Sequence, residues 1–296
     1  MDVDEATTWI QTVVPNVGPL RLVQIEPWAS VFAADTTGGV VWFKACAPTH
    51  AFEVPLTASL SCRWRRTVAD VLAHDAVRRW LLLADAGEPL RRVGNPPERW
   101  EAFLPAYAEL QIGESSHVEE HLRNGVPDLR VEHLPRLYDQ LTRANLPLDG
   151  SERATLAAFG ARFEERCSQL AAGGIGPSVQ HDDLHMNNVY AKGDELRVLD
   201  WGDASIGHPF FSLFEVFRFL AEVNRLPPED PWFARLRDAY LEPWGDDVRD
   251  VFDLAQVVGG YAHAIAWLQQ RDQLPEAQRP IFDDSFSTIL RLAMRC

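Results

Sequence analysis

One ten-residue stretch concentrates side chains able to do chemistry: Gln180-His181-Asp182-Asp183-Leu184-His185-Met186-Asn187-Asn188-Val189. Within it His181, Asp183 and Asn188 stand in the order His-x-Asp-x-x-x-x-Asn, and Asp200-Trp201-Gly202 follows twelve residues after Asn188. Phosphoryl transfer requires such a set. One carboxylate orients a hydroxyl and takes its proton, while an amide oxygen and a second carboxylate hold Mg²⁺ against nucleotide phosphates. Random placement of the His, Asp and Asn residues would give the eight-residue pattern only about 0.02 times in a chain of this length. Two other readings compete: an acidic surface turn, and a metal site made of His181, Asp183 and His185. No distant His or Cys pair with ligand spacing completes the latter.

A second candidate lies upstream. Of 28 basic residues only Lys44 and Lys192 are lysines, and the rest are Arg, an excess that suits GC-rich coding. Lys44 nonetheless sits inside the apolar strand pattern Val40-Val41-Trp42-Phe43-Lys44-Ala45, and Glu53 follows nine residues later at the start of a short helix. An ammonium there would neutralise the α- and β-phosphates of a nucleotide, with the glutamate holding it in place; a surface lysine on an edge strand is the competing reading.

These groups need elements to position them. Gly-rich turns between β-branched and aromatic runs predict antiparallel strands over 20–25, 29–34 and 40–46, with two more at 68–72 and 80–84. A short helix is expected within 48–60. From Pro97 onward apolar residues recur at three- and four-residue steps, predicting helices over 97–110, 119–124, 132–144 and 154–170. A short hairpin over 189–199 then leads to Asp200, and helices follow over 210–224, 232–241, 248–270 and 281–294. The class is α+β: residues 1–87 form a β-rich N-lobe with one short helix, and residues 88–296 a mainly helical C-lobe.

The order Lys44, Glu53, His181-x-Asp183-x-x-x-x-Asn188, Asp200-Trp201-Gly202 resembles the aminoglycoside phosphotransferase and choline kinase family, from about Leu20 into the C-terminal helices. The resemblance implies a protein-kinase-like two-lobed fold and an ATP- and Mg²⁺-dependent phosphotransferase acting on a small-molecule hydroxyl. By position it makes Asp183 the catalytic base, Asn188 and Asp200 the Mg²⁺ ligands, Lys44 the phosphate contact and Glu53 its partner. His181 becomes a structural brace of the loop. The strand ending at Ala84 resembles the hinge, whose main chain at Ala84 and Ala86 would bond adenine. Two departures stand out. No G-x-G-x-x-G separates the first strands, so phosphate gripping there falls to backbone amides or the Ser30 hydroxyl. Asp182 stands where protein kinases carry Arg, and Gly207-His208-Pro209 leads straight into a helix with no peptide-binding segment, which favours a small acceptor.

Charge narrows the partners. The net charge is −15, and residues 201–253 hold 11 carboxylates against 5 Arg. Such a field disfavours nucleic acid and anionic membranes. Asp203, Glu215 and the group Asp246, Asp247, Asp250 and Asp253, with Trp232 and Trp244, would suit an amino sugar, an aminoglycoside or another cationic alcohol. A solvated acidic face accounts for the same residues equally well. Four scattered cysteines (46, 62, 167, 296), an N-terminus with three carboxylates and no basic residue, and no long apolar run point to a cytoplasmic protein. A nucleotide-binding module with little turnover, and a metal-dependent hydrolase using His181, Asp182, Asp183 and His185, are the alternative functions. The oligomeric state is not legible.

Overall fold

Asp2 caps a helix, α1 (Val3–Gln11), by accepting from the Asp4 and Glu5 N–H groups at 2.9 and 3.4 Å. Asp4 and Glu5 lie in its first turn, where the helix dipole favours carboxylates. The sequence reading assigns no element there. This computed structural model describes residues 2–245 and 248–295, with the backbone alone for 282–285. Asp246, Asp247 and Cys296 lie outside the described residues.

Strands β1 (Arg21–Ile25), β2 (Ala29–Thr36) and β3 (Gly39–Cys46) form an antiparallel meander, followed by helix α2 (Glu53–Arg63). Strands β4 (Val71–Asp75) and β5 (Trp80–Ala84) pair as a hairpin that adds to β3, giving the order β1-β2-β3-β5-β4. Alternation along the strands divides the apolar residues between two faces. Phe32, Phe43, Trp80 and Leu82 pack on Ala6 and Ile10 of α1, whereas Cys46, Leu81 and Leu83 pack on Val54 of α2. Burying Phe43, Leu81 and Leu82 completely stabilises by roughly 1.5–3 kcal/mol each before conformational entropy is counted.

After the short β6 (Glu88–Pro89) come helices α3 (Pro97–Glu114), α4 (Val118–Arg123) and α5 (Leu134–Arg143), then α6 (Gly150–Ala158) and α7 (Gly160–Ala172). The single helix expected over 154–170 is thus two, separated at Phe159; a capping box between Asp149 and Glu152 starts the first. Strand β7 (Ser178–Gln180) precedes the His181–Asn188 segment. Beyond that segment, β8 (Val189–Lys192) and β9 (Glu195–Val198) form the expected hairpin. Strand β10 (Ser205–Gly207) pairs with β7, and α8 (Leu213–Glu222), α9 (Pro231–Leu241), α10 (Arg249–Gln273) and α11 (Asp283–Ala293) complete the chain.

Two compact units result: the segment up to Gly94 together with Met186–Gly202, and Asn95–His185 together with the segment from Asp203 onward. The division read from sequence, at 87/88, puts residues 186–202 with the helices. In the structure β6 pairs with β8 in a separate three-stranded sheet, β6-β8-β9, and the hairpin groups with the N-terminal segment. Gly87 permits that pairing. Its φ is +95°, and a Cβ there would meet the Ala191 carbonyl oxygen at 2.2 Å. In the helical unit, buried Gln111 of α3 ties its neighbours together: its amide donates to the Val179 carbonyl at 2.9 Å and to Ser212 Oγ at 3.0 Å, and its oxygen accepts from Tyr240.

Candidate active site

In the sheet unit, β3 delivers Lys44 to the face that α2 covers, and Glu53 meets it from the first turn of that helix. Pro55 is tolerated there because first-turn N–H groups have no intrahelical partner. Lys44 Nζ donates to Glu53 Oε1 at 2.6 Å and to Asp200 Oδ1 at 2.7 Å. Burial by itself would lower the Lys44 pKa, but Asp200 and Glu53 outweigh it and hold the ammonium well above its ordinary value. Lys44 is therefore a fixed cation, joined to a deeply buried carboxylate on one side and a half-exposed one on the other.

The β8–β9 hairpin brings the two expected metal ligands together. The Leu199 N–H donates to the Asn188 carbonyl at 2.9 Å, so the residue before β8 faces the residue after β9, and Asp200 comes next. Asp200 adopts φ +64°, a left-handed conformation that Asp and Asn tolerate better than most residues. Gly202 then passes close to the buried carboxylate, where a Cβ would lie 3.2 Å from Glu53 Oε2. An amide oxygen and a carboxylate form a hard oxygen set, which fits Mg²⁺ completed by phosphates and water. Among the described residues no three His, Cys, Asp or Glu side chains gather as a metal site.

Two nucleotide contacts expected from sequence need revision. Ser30 pairs with Ala45 and Val31 with Lys44, so Ser30 projects to the face opposite the ammonium. It lines a cavity of about 430 Å³ with Glu5, Arg78 and Trp80 on the α1 side. Ala84 ends β5, and its N–H already donates to the Asp70 carbonyl at 2.9 Å, so only its carbonyl is a candidate for adenine. Ala86 is buried just beyond.

In the helical unit the three consecutive residues of the motif differ sharply. His181 is fully buried; its N–H donates to Tyr107 Oη at 3.2 Å, and its Nδ1 accepts from the Asp183 N–H at 3.3 Å. Those bonds fit a brace. Asp182 has φ +57°, is buried and accepts from the Ser205 hydroxyl. Burial pushes its carboxyl up to about 6, against the opposing pull of His263 and the Ser205 bond. Asp183 keeps a side chain 23% exposed, with Oδ1 3.0 Å from His185 Nε2. The His185 ring packs on Phe219 at 4.4 Å, and the Arg218 guanidinium lies 4.3 Å from the centre of that same ring. His185 thus lies between Asp183 and Phe219.

The acceptor residues read from sequence fare unequally. Asp203 stays partly exposed, with Gln270 donating to its Oδ1 at 2.7 Å. Glu215 is instead 3% exposed, clasped by the Arg218 guanidinium at 2.5–3.1 Å with His263 at 3.2 Å. Its charge is matched inside the protein and does not face an acceptor. Of the two half-buried tryptophans, Trp232 has the Arg235 guanidinium 4.0 Å from its ring centre, and Trp244 packs edge-on against Phe210. Asp250 and Asp253 are exposed.

The family model described as the phosphotransferase enzyme family matches residues 66–252. No curated protein matches the chain by sequence. Among solved structures, a choline/ethanolamine kinase family protein from Mesorhizobium loti is 16% identical. Its TM-score is 0.65, over 100% of this chain and 96% of its own. A choline kinase from Cryptosporidium parvum is 12% identical with a TM-score of 0.66, covering 99% and 95%. An amicoumacin kinase, solved with AMP-PNP and Ca²⁺, is 10% identical with a TM-score of 0.57, covering 100% and 94%. These likenesses establish the protein-kinase-like fold.

Proposed function

Because the chain belongs to the phosphotransferase enzyme family, we propose that it transfers the γ-phosphate of ATP, with Mg²⁺, to a hydroxyl of a small molecule. The observation that carries this reading is the Lys44 ammonium, held at once by Glu53 and Asp200. A surface lysine has no need of two carboxylates; a phosphate-gripping one does, because they fix its position before the nucleotide arrives. Bound Mg²⁺ would be held by Asn188 and Asp200 and would offset charge on the phosphates. Asp183 orients the acceptor hydroxyl and takes its proton, and His185 holds the Asp183 carboxylate in place. His181 and the Asp182–Ser205 bond keep the loop in its conformation.

The acceptor we assign is a hydroxylated amine, with choline-like alcohols and amino sugars, aminoglycosides included, as the first compounds to test. The acidic excess over 201–253 and the partly exposed Asp183 and Asp203 favour a cation. The likeness to a choline/ethanolamine kinase family protein supports the same class. A nucleic-acid or membrane partner does not suit this charge, and among the described residues no helix is long and apolar enough to cross a membrane. The substrates proposed are consistent with a cytoplasmic setting.

The test is ATP consumption by the full chain, with and without Mg²⁺, over a panel of amino sugars, choline-like alcohols and plain sugars. Acceptor-stimulated, Mg²⁺-dependent ADP release is the expected result. Nucleotide binding without turnover on any acceptor would leave a binding module, and nucleotide-free hydrolysis would overturn the assignment.

A further inference from the structure

Glu53 has two carboxylate oxygens, and only Oε1 meets Lys44. The other, Oε2, lies 3.3 Å from Cys46 Sγ. Residues 44 and 46 are two apart on β3 and so project to the same face, which places ammonium and thiol side by side opposite one carboxylate. All three side chains are buried: Lys44 is 7%, Cys46 5% and Glu53 2% exposed. The backbone of Gly202 closes in on the same oxygen. A carboxylate carries about four lone-pair sites, and an unmatched one in such a place is costly.

We propose that Cys46 is a positioning residue for nucleotide binding: its S–H donates to Glu53 Oε2 and turns the carboxylate so that Oε1 fixes Lys44. This rests on the reading of Lys44 as the phosphate contact. Burial and the neighbouring Glu53 charge push the Cys46 thiol far up, so it stays protonated and remains a donor. The thiolate chemistry for which exposed cysteines are retained has no place here.

Two measurements on the full chain test the role. The first uses no nucleotide: thermal and urea unfolding of Cys46→Ala, Glu53→Gln and the double variant. A thiol that serves Glu53 makes the two substitutions non-additive, the second costing less once the first is present. The second is steady-state kinetics with MgATP. Cys46→Ala should raise KM for MgATP about 5- to 10-fold with kcat changed less than about 3-fold, and Cys46→Ser, which keeps a donor, should recover most of the loss. Additive stabilities, an unchanged KM in Cys46→Ala, or Cys46→Ser no better than Cys46→Ala would each overturn the proposal. Failure of the underlying reading has a separate signature: wild-type protein that neither binds nor uses MgATP while the coupling in unfolding persists.

Discussion

The two units hold their buried charges in opposite ways. In the sheet unit one ammonium serves two carboxylates, so the Lys44, Glu53 and Asp200 group carries a net negative charge, with Asp200 reaching solvent. In the helical unit the buried carboxylates are satisfied from within: Asp182 by Ser205, and Glu215 by Arg218 and His263. The unit that would grip Mg²⁺ and phosphates keeps one of its two lysine-bound carboxylates, Asp200, half-exposed. The unit that would meet the acceptor pairs its buried carboxylates internally and leaves Asp183 partly open. Exposure and partners, more than the number of acidic residues, separate a carboxylate that does chemistry from one that holds a loop.

Replacing Asp183 gives the largest expected effect. Asp183→Asn removes the proton acceptor and should lower kcat by ~10²–10⁴-fold with nucleotide affinity nearly unchanged, whereas Asp182→Asn should lose far less. Steady-state kinetics with nucleotide binding by calorimetry decide between them. If Asp182→Asn proves the inactive variant, the contrast between an open and a buried carboxylate is wrong.

Lys44→Ala comes next, and it should act on stability as well as activity. Removing one partner of a buried ion pair costs roughly 3–5 kcal/mol because the other charge is left uncompensated. Urea unfolding should show that loss, and steady-state kinetics a strongly raised KM for MgATP or a lowered kcat. Lys44→Ala/Glu53→Gln should be more stable than Lys44→Ala. Unchanged stability in Lys44→Ala would mean that the pair is not held as tightly as its 2.6 Å distance indicates.

Asp182 turns the comparison into a pH experiment. Its folded-state pKa, about 6, lies above the ordinary 3.8 because burial penalises the charge. A raised carboxyl pKa stabilises the fold below the unfolded value, and that contribution disappears as pH rises through the folded one. Above pH 6 the wild type should carry a cost of ~3 kcal/mol, two pKa units, that the neutral Asp182→Asn escapes. The stability advantage of the variant should therefore widen by about 1 kcal/mol between pH 5 and pH 8. A gap that stays constant across that range rules out Asp182 as a buried titrating group.

The smallest effect is expected at Gly202. A methyl group 3.2 Å from Glu53 Oε2 must displace the carboxylate by a few tenths of an ångström. Gly202→Ala should cost about 1–3 kcal/mol in unfolding and weaken MgATP binding severalfold. Full nucleotide affinity in that variant would show that Glu53 has slack to move.

The Lys44–Glu53 pair was legible because its nine-residue spacing joins a strand to the helix that follows it, and the approach of residues 188 and 199 because a short hairpin separates them. Less legible were features set by register and burial. Ser30 was misread because its side is fixed by pairing with Ala45, and a bulge between Leu22 and Gln24 in the facing strand hides the alternation. Glu215 looked available on charge alone, yet Arg218 three residues on and Glu222 beyond it mark a helical ion-pair ladder. Helix α1 is short, and its apolar face, Ala6 and Ile10, means little until a sheet is there to receive it. Cys46 read as one thiol among four; its two-residue offset from Lys44 was the available clue.

The scarcity of lysine gives the buried ammonium an experimental value of its own. With Lys192 exposed beside Asp85 and Lys44 enclosed, biosynthetic ¹³C-labelling of lysine would give only two Cε resonances. One of the two would come from a mobile, solvent-facing group. The other would report directly on the Lys44 side chain, so that titration with nucleotide, metal or acceptor could be followed at a single atom in a 33.4 kDa protein without any substitution.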